Sequence, residues 1–145
     1  MTGLAAGTTY SFKVAAKNIN GTSPLTSPIS ILTFPNPPSA ITVDTALTKL
    51  NQVTFSWTAP IINGGSPITG YQISWDQGIG SWVVYNSAYT STSLIVSGLN
   101  AGKTYSFKLA SINSAGTSAL SSVLEILLDI APNPPTAITI DTALT

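Results

Sequence analysis

Apolar and polar side chains alternate in two nearly identical stretches of this chain. One is residues 105–109 (Tyr-Ser-Phe-Lys-Leu) and the other is residues 10–14 (Tyr-Ser-Phe-Lys-Val). Alternation with a period of two is typical of a half-buried β-strand, because successive side chains leave opposite faces of the sheet. The pattern therefore predicts two equivalent strands, each with one face turned towards a core.

The two strands belong to a longer internal repeat. Residues 4–21 return as residues 99–116 after 95 positions, and residues 35–48 (PNPPSAITVDTALT) return as residues 132–145 (PNPPTAITIDTALT) after 97. A period of this length is the size of a whole small domain. The repeat predicts a window on a longer tandem array, with four parts: the C-terminal strands of a preceding domain (1–34), a stiff Pro-rich linker (35–38), a complete domain (39–130), and a linker with the first strand of a following domain (131–145).

The complete domain shows seven short apolar segments separated by turn residues, and no helical periodicity. They cover residues 39–47, 52–58, 68–75, 81–86, 93–97, 104–113 and 117–128. Short strands at this spacing indicate an all-β sandwich of two sheets. The inward positions include the predicted core residues Trp57, Tyr71, Ile73 and Phe107. Ile95, Ala110 and Ile112 fall at outward positions, where apolar side chains favour association with another chain.

Three ordered segments resemble the fibronectin type III domain over nearly its full length. They are VTFSWTAP (53–60), GGSPITGYQISW (64–75) and SLIVSGLNAGKTYSFKLASINSAGTS (93–118). The resemblance implies an immunoglobulin-like sandwich and a tyrosine corner, in which a Tyr hydroxyl bonds to backbone where the chain crosses between sheets. The pair in the complete domain would be Leu99 and Tyr105. The pair in the preceding domain would be Leu4 and Tyr10.

Few residues can carry chemistry. Charged residues are 7% of the chain, the net charge is zero, and His and Cys are absent. So few cations exclude the usual modes of nucleic-acid binding, and no apolar run in this segment is long enough to insert into a membrane. Asp44 and Asp141 occupy the same repeat position and are interpreted as turn carboxylates rather than metal ligands. We expect no catalytic residues, no metal and no cofactor.

Two surface features leave alternatives open. Trp75, Trp82 and Tyr85 form either an aromatic platform for sugar stacking or, as we favour, part of the core and a cover for the sheet edge. Asn20-Gly21-Thr22 is an acceptor triplet for N-glycosylation, which fits a charge-poor extracellular protein carrying covalent glycans. The predicted location is therefore extracellular or at the cell surface.

These observations predict a non-catalytic structural protein. Near-identical linkers give a repeated domain orientation, so the expected partners are neighbouring copies of the same unit, arranged as a stalk or filament. The alternatives are a spacer module of a secreted carbohydrate-active enzyme and an adhesion or receptor ectodomain.

Overall fold

The computed structural model describes residues 3–129, and every regular element in that part of the chain is a β-strand. Four short strands come first: β1 (Tyr10–Phe12), β2 (Lys17–Asn18), β3 (Gly21–Thr22) and β4 (Ile29–Ile31). Eight more follow: β5 (Ser39–Val43), β6 (Gln52–Thr58), β7 (Gly70–Trp75), β8 (Val83–Tyr89), β9 (Ser93–Ser97), β10 (Thr104–Asn113), β11 (Gly116–Thr117) and β12 (Leu124–Leu127). The predicted all-β fold is confirmed.

Strands β5 to β12 form the sandwich, which we call the central domain (residues 39–129). One sheet has the order β5-β6-β9, and the other has the order β11-β10-β7-β8 with β12 also paired to β10. All of these pairs are antiparallel. Since β11 and β12 follow one another along β10, they occupy the place of one strand, and the domain has seven strand positions.

The predicted last strand, 117–128, is interrupted because two serine side chains replace backbone groups in its ladder. Ser118 Oγ accepts the Ser111 N–H at 2.9 Å, and Ser121 Oγ accepts the Leu109 N–H at 3.0 Å. A hydroxyl acceptor displaces the neighbouring backbone from regular pairing, so the strand resumes only at Leu124. The predicted strand 39–47 also ends early, at Val43, because the carboxylate of Asp44 accepts two backbone N–H groups of the following turn.

The core lies between the two sheets and contains the four residues predicted for it. Trp57, Tyr71, Ile73 and Phe107 are all buried. Phe107 packs on Phe55 with their ring centroids 4.8 Å apart. The remaining members are mostly the inward-facing apolar residues of both sheets: Val53, Leu94, Val96, Leu99, Tyr105, Leu109, Ile126 and Leu128.

The three predicted outward residues differ in exposure. Ile95 is 55% exposed, as expected for the outer face, and Ile112 is half-buried, but Ala110 is 1% exposed. Ala110 lies on the middle strand β10, between β7 and residues 118–121, which bond back to β10. Because its side chain is a single methyl group, larger neighbours on both sides shield it. The prediction that Ala110 offers an apolar surface for association is therefore wrong.

The N-terminal segment (residues 3–34) has the same strand register as residues 98–129. Tyr10 pairs with Ile31 as Tyr105 pairs with Ile126. Its short strands β2 and β3 pair in the same way as the end of β10 with β11. The side-chain acceptor recurs too, because Thr26 Oγ1 accepts the Val14 N–H at 3.2 Å. The sequence repeat is thus also a repeat of backbone pairing.

Candidate functional site

The most specific polar arrangement in the described chain joins the N-terminal segment to the central domain. We call it the junction: residues 32–36 against the loops 61–65 and 113–116. The Thr33 N–H donates to the Gly64 carbonyl at 2.9 Å, and the Asn36 N–H donates to the Ile62 carbonyl at 3.1 Å. These bonds tie the end of the N-terminal segment to the loop between β6 and β7.

Asn113, at the end of β10, links three parts of the junction through one buried amide. Its Nδ2 donates to the Thr33 carbonyl at 2.9 Å and to the Asn63 carbonyl at 2.8 Å. Its Oδ1 accepts the N–H groups of Ala115 at 2.8 Å and Gly116 at 3.1 Å. Both amide protons and both oxygen lone pairs are used, so the side chain has one orientation in which every bond is made.

Two glycines allow the backbone of residues 33–34 to approach the central domain closely. Gly64 has a φ of +73°, and a Cβ there would lie 2.8 Å from the Thr33 carbonyl carbon and 2.9 Å from the Phe34 carbonyl oxygen. Gly116 has a φ of +138°, and a Cβ there would lie 2.7 Å from Cε1 of Phe34. Both positions need glycine, because their φ angles are positive and because a Cβ would overlap residues 33–34.

The turn at residues 18–21 of the N-terminal segment is the repeat equivalent of residues 113–116, and no described segment packs on its glycine. Asn18 is the repeat equivalent of Asn113, and its Oδ1 accepts the Asn20 N–H at 2.9 Å. Gly21 matches Gly116, with a φ of +146°, but a Cβ there would meet no atom within 4 Å. The turn is therefore built in the same way in both repeats, and within residues 3–129 only the turn of the central domain packs against a neighbouring segment.

Both predicted tyrosine pairs are placed at a turn before the strand that carries the tyrosine. The Tyr105 hydroxyl accepts the Asn100 N–H at 2.9 Å, and the Tyr10 hydroxyl accepts the Ala5 N–H at 3.0 Å. Leu99 is buried in the core, whereas Leu4 is partly exposed beside the junction. Each tyrosine therefore fixes the crossover that leads into its own strand.

The three aromatic residues proposed for sugar stacking do not share one surface. Trp75 packs edge-on against Tyr85, with ring centroids 5.3 Å apart, and lies over the core beside Phe107. Trp82 lies on the opposite face of the sheet, where the Lys108 ammonium is 4.0 Å from its ring centroid. The arrangement matches the interpretation in which Trp75 belongs to the core and Trp82 covers the edge of the sheet, rather than an aromatic platform for sugars.

The carboxylates of Asp44 and Asp76 each accept backbone N–H groups. Asp44 caps its turn, and no group of three or more His, Cys, Asp or Glu side chains is positioned for a metal in this range. Burial would raise the pKa of Asp76, but N–H groups of Ser106 and Gly78, each 2.9 Å from its Oδ1, outweigh burial and leave that pKa below its usual value. The Asp76 carboxylate thus links β10 to the turn that follows β7. Asp141 lies outside the described residues.

Asn20 lies exposed in the turn between β2 and β3, where a glycan would have room. Its glycosylation remains a prediction. Residues 3–129 contain no helix that is long and apolar enough to cross a membrane. Sequence reasoning missed the junction, although one signal for it was present: an Asn followed three positions later by a Gly ends the alternating strand in both repeats.

Comparison with known proteins identifies the fold. A family model described as the fibronectin type III domain matches residues 36–126. The chain belongs to the fibronectin type III family. The match covers most of the central domain together with the junction residue Asn36, and one fibronectin type III domain accounts for it.

Relatives of this fibronectin type III protein are much longer than the chain. Human myomesin-2 is 30% identical over 138 residues, which is 90% of this chain and 9% of myomesin-2. Chitinase A1 of Niallia circulans is 30% identical over 135 residues, which is 87% of this chain and 18% of that protein. The solution structure of a fourth human FNIII domain has a TM-score of 0.62 at 23% identity and covers 74% of this chain and 89% of that domain, which shows the fold.

Proposed function

We propose that this chain is a non-catalytic, structural part of a tandem array of fibronectin type III domains that forms an extracellular stalk or filament. The observation that carries the proposal is the junction, where backbone hydrogen bonds and the Asn113 amide hold the end of one unit on the loops of the next. A junction made of several directional bonds restricts rotation and bending far more than a bare flexible linker does.

The sequence of the linker supports a regular array. Pro35 and Pro38 are buried, and residues 35–48 recur almost unchanged as 132–145. Repetition of a stiff linker repeats the angle between domains, and a repeated head-to-tail contact that does not close produces a fibre. The partners in this proposal are neighbouring copies of the same unit, and the chain requires no cofactor.

Imaging of a chain that contains several consecutive copies of residues 35–131, which is one full repeat, tests the array. We expect straight particles with a regular spacing of one domain. Weakening the junction with Asn113→Asp in every copy should convert them to bent, irregular chains. Isolated domains connected at random angles in the unmodified array would contradict the proposal.

Glycosylation at Asn20 and an extracellular location belong to the same proposal. They are supported by the exposed position of the Asn20 side chain and by the small number of charges on the chain. Secretion from eukaryotic cells should give a protein whose mass falls on treatment with a glycosidase, and Asn20→Gln should abolish that difference. An unmodified secreted protein would remove glycans from the proposal.

A second candidate is a spacer module in a secreted carbohydrate-active enzyme, which the match to chitinase A1 favours. The third, an adhesion or receptor ectodomain, predicts a membrane anchor elsewhere in the protein. The full reading frame separates the three. A catalytic module beside these repeats supports the spacer, and a membrane-spanning segment supports the ectodomain. A frame made of such repeats alone supports the array.

A further inference from the structure

A cavity of about 290 Å³ lies between the N-terminal segment and the loop 113–116 of the central domain. Its wall contains Thr33 and six apolar residues: Leu4, Ala5, Ala6, Leu32, Phe34 and Ala115. Phe34 is 50% exposed and Leu4 is 37% exposed, so apolar surface stays open directly beside the junction. An apolar cavity at the boundary of two units is typical of a site that another segment of chain covers.

The turn between β5 and β6, which we call the β5–β6 turn (residues 47–51), occupies the equivalent place in the central domain. It lines a cleft with residues 127–129, which are the repeat equivalents of one wall of the cavity. The Leu99 N–H donates to the carbonyl of Asn51 at 3.0 Å, and Leu99 is the equivalent of Leu4. In residues 3–129 no such turn lies beside Leu4.

We infer that the β5–β6 turn of the preceding unit fills this cavity and packs its Leu50 against Ala115 of the unit that follows. Leu4 and Phe34 form the wall on the side of the preceding unit, whereas Ala115 belongs to the next unit. The turn therefore contacts both units at once. This inference rests on the proposed array and adds an apolar contact to the hydrogen bonds of its junction.

The β5–β6 turn carries the surface that such a contact needs. In the central domain Leu47 is 50% exposed and Leu50 is 51% exposed. Leu50 lines the cleft with residues 127–129, where the chain leaves the domain towards its next linker. No charged residue lines the cavity, so a leucine can enter it without removing a charge from water. The long stem of Lys49 allows its ammonium group to stay in solvent at the edge.

The residue type at the far wall supports the same contact. Asn20 is the repeat equivalent of Ala115, and it lies exposed in a turn on which no described segment packs. The turn beside the cavity has a methyl group in place of that amide. An amide covered by a leucine side chain would lose its hydrogen bonds to water, so an apolar residue suits a covered position and an amide suits an exposed one.

A two-unit chain tests the contact. Residues 35–127 are joined to residues 33–129, so that Leu127 takes the place of Leu32 and the described junction follows it. Both units keep every strand from β5 to β12. The β5–β6 turn of the first unit then lies at the junction, and the same turn of the second unit has no unit after it.

Leu50→Asp in the first unit should open the junction more often. Amide exchange at Thr33 and Asn36, whose N–H groups donate across the junction, should become about five- to tenfold faster, because the exposed half of a leucine side chain is no longer covered. The same substitution in the second unit is the matched control, since it weakens its own domain equally and should leave exchange at Thr33 unchanged. Equal acceleration by the two variants would overturn the inference.

Cysteine pairs test the position of the turn, because the natural chain contains no cysteine. Leu50→Cys in the first unit combined with Ala115→Cys in the second should form a disulfide under mild oxidation at least about tenfold faster than Leu50→Cys combined with Ile61→Cys. Ile61 is 97% exposed and lies outside the cavity, so its thiol is freely accessible. Equal rates for the two pairs would mean that the turn does not sit on Ala115, and would overturn the inference.

The contact and the proposed array fail separately. A long array that images as regular, in a protein whose exchange at Thr33 does not respond to Leu50, would keep the array and remove the contact. Irregular long arrays built from units that do make the contact in the two-unit chain would remove the regular array and keep the contact. The second outcome has a physical basis, because the repeat has two more residues ahead of Pro132 than ahead of Pro35.

Discussion

Replacing Gly64 by Ala tests whether the junction is held by the close approach of two backbones. Gly64 has a left-handed φ, so a Cβ costs about 1 kcal/mol in conformation alone. The added atom would also lie 2.8 Å from the Thr33 carbonyl carbon, which no ordinary contact allows. Because the Cβ would also overlap the Thr33 carbonyl oxygen, the two backbones have to move apart, and the Thr33–Gly64 and Asn113–Thr33 hydrogen bonds weaken or break.

The size of the effect follows from those two bonds. At about 0.5–1.5 kcal/mol each, their loss favours the open junction by about 1–3 kcal/mol, or roughly 5- to 150-fold. Amide exchange of Thr33 and Asn36, whose N–H groups donate across the junction, should accelerate by that factor. Residual dipolar couplings of the N-terminal segment should no longer fit the orientation of the central domain.

Gly98→Ala is the matched control. Gly98 has a φ of +77°, and a Cβ there would meet no atom within 4 Å, so this variant has the same conformational cost without the clash. Both variants should lose about 1 kcal/mol of domain stability, but only Gly64→Ala should accelerate exchange at Thr33. Equal exchange at Thr33 in the two variants would refute the argument that contact with Gly64 sets the junction.

Three further substitutions test the polar side chains. Asn113→Asp keeps the acceptor oxygen but turns a carboxylate towards two carbonyl oxygens, so the free energy of unfolding measured by chemical denaturation should fall by about 2–4 kcal/mol. The equivalent Asn18→Asp should lower it by less than about 0.5 kcal/mol, and equal losses would contradict this reasoning. Ser111→Ala removes a buried hydroxyl without a hydrogen-bond partner and should raise the melting temperature by about 4–8 °C; a lower value would mean that the hydroxyl has a partner. Because the folded pKa of Asp76 lies below its unfolded value of about 4, its contribution to stability is complete above pH 4 and is lost as the pH falls through the folded pKa. Melting curves between pH 7 and 2 should show this loss in the natural protein and a smaller one in Asp76→Asn, and identical pH profiles would refute it.

Much of the sandwich could be predicted because its signals are local. The strands β6, β9 and β10 have the predicted bounds, since each is an alternating run that ends at turn residues. The equivalence of Tyr10 and Tyr105 followed from a repeat of 95 positions and appears as identical strand register. Alternation and repetition are properties of the sequence itself, so they need no knowledge of distant neighbours.

Other features depend on neighbours that alternation does not describe. The predicted strand 117–128 broke where Ser118 and Ser121 turned hydroxyls towards β10, because a polar side chain can compete with the backbone for the same donor. Ala110 was placed outward by its position in the pattern and proved to be buried, because the exposure of a small side chain is decided by the size of the groups beside it.

The sequence by itself determined the class of fold, the equivalence of its repeats and most of the residues in the core. Alternation places the apolar side chains on one face of each strand, and burial of that face is favourable whichever strand it packs against. The tertiary structure alone decided the junction. Asn113 and Thr33 are 80 positions apart and meet through a loop that has no periodicity. Which carbonyl an amide reaches, and whether a Cβ fits beside it, depends on distances between segments that only the folded chain brings together.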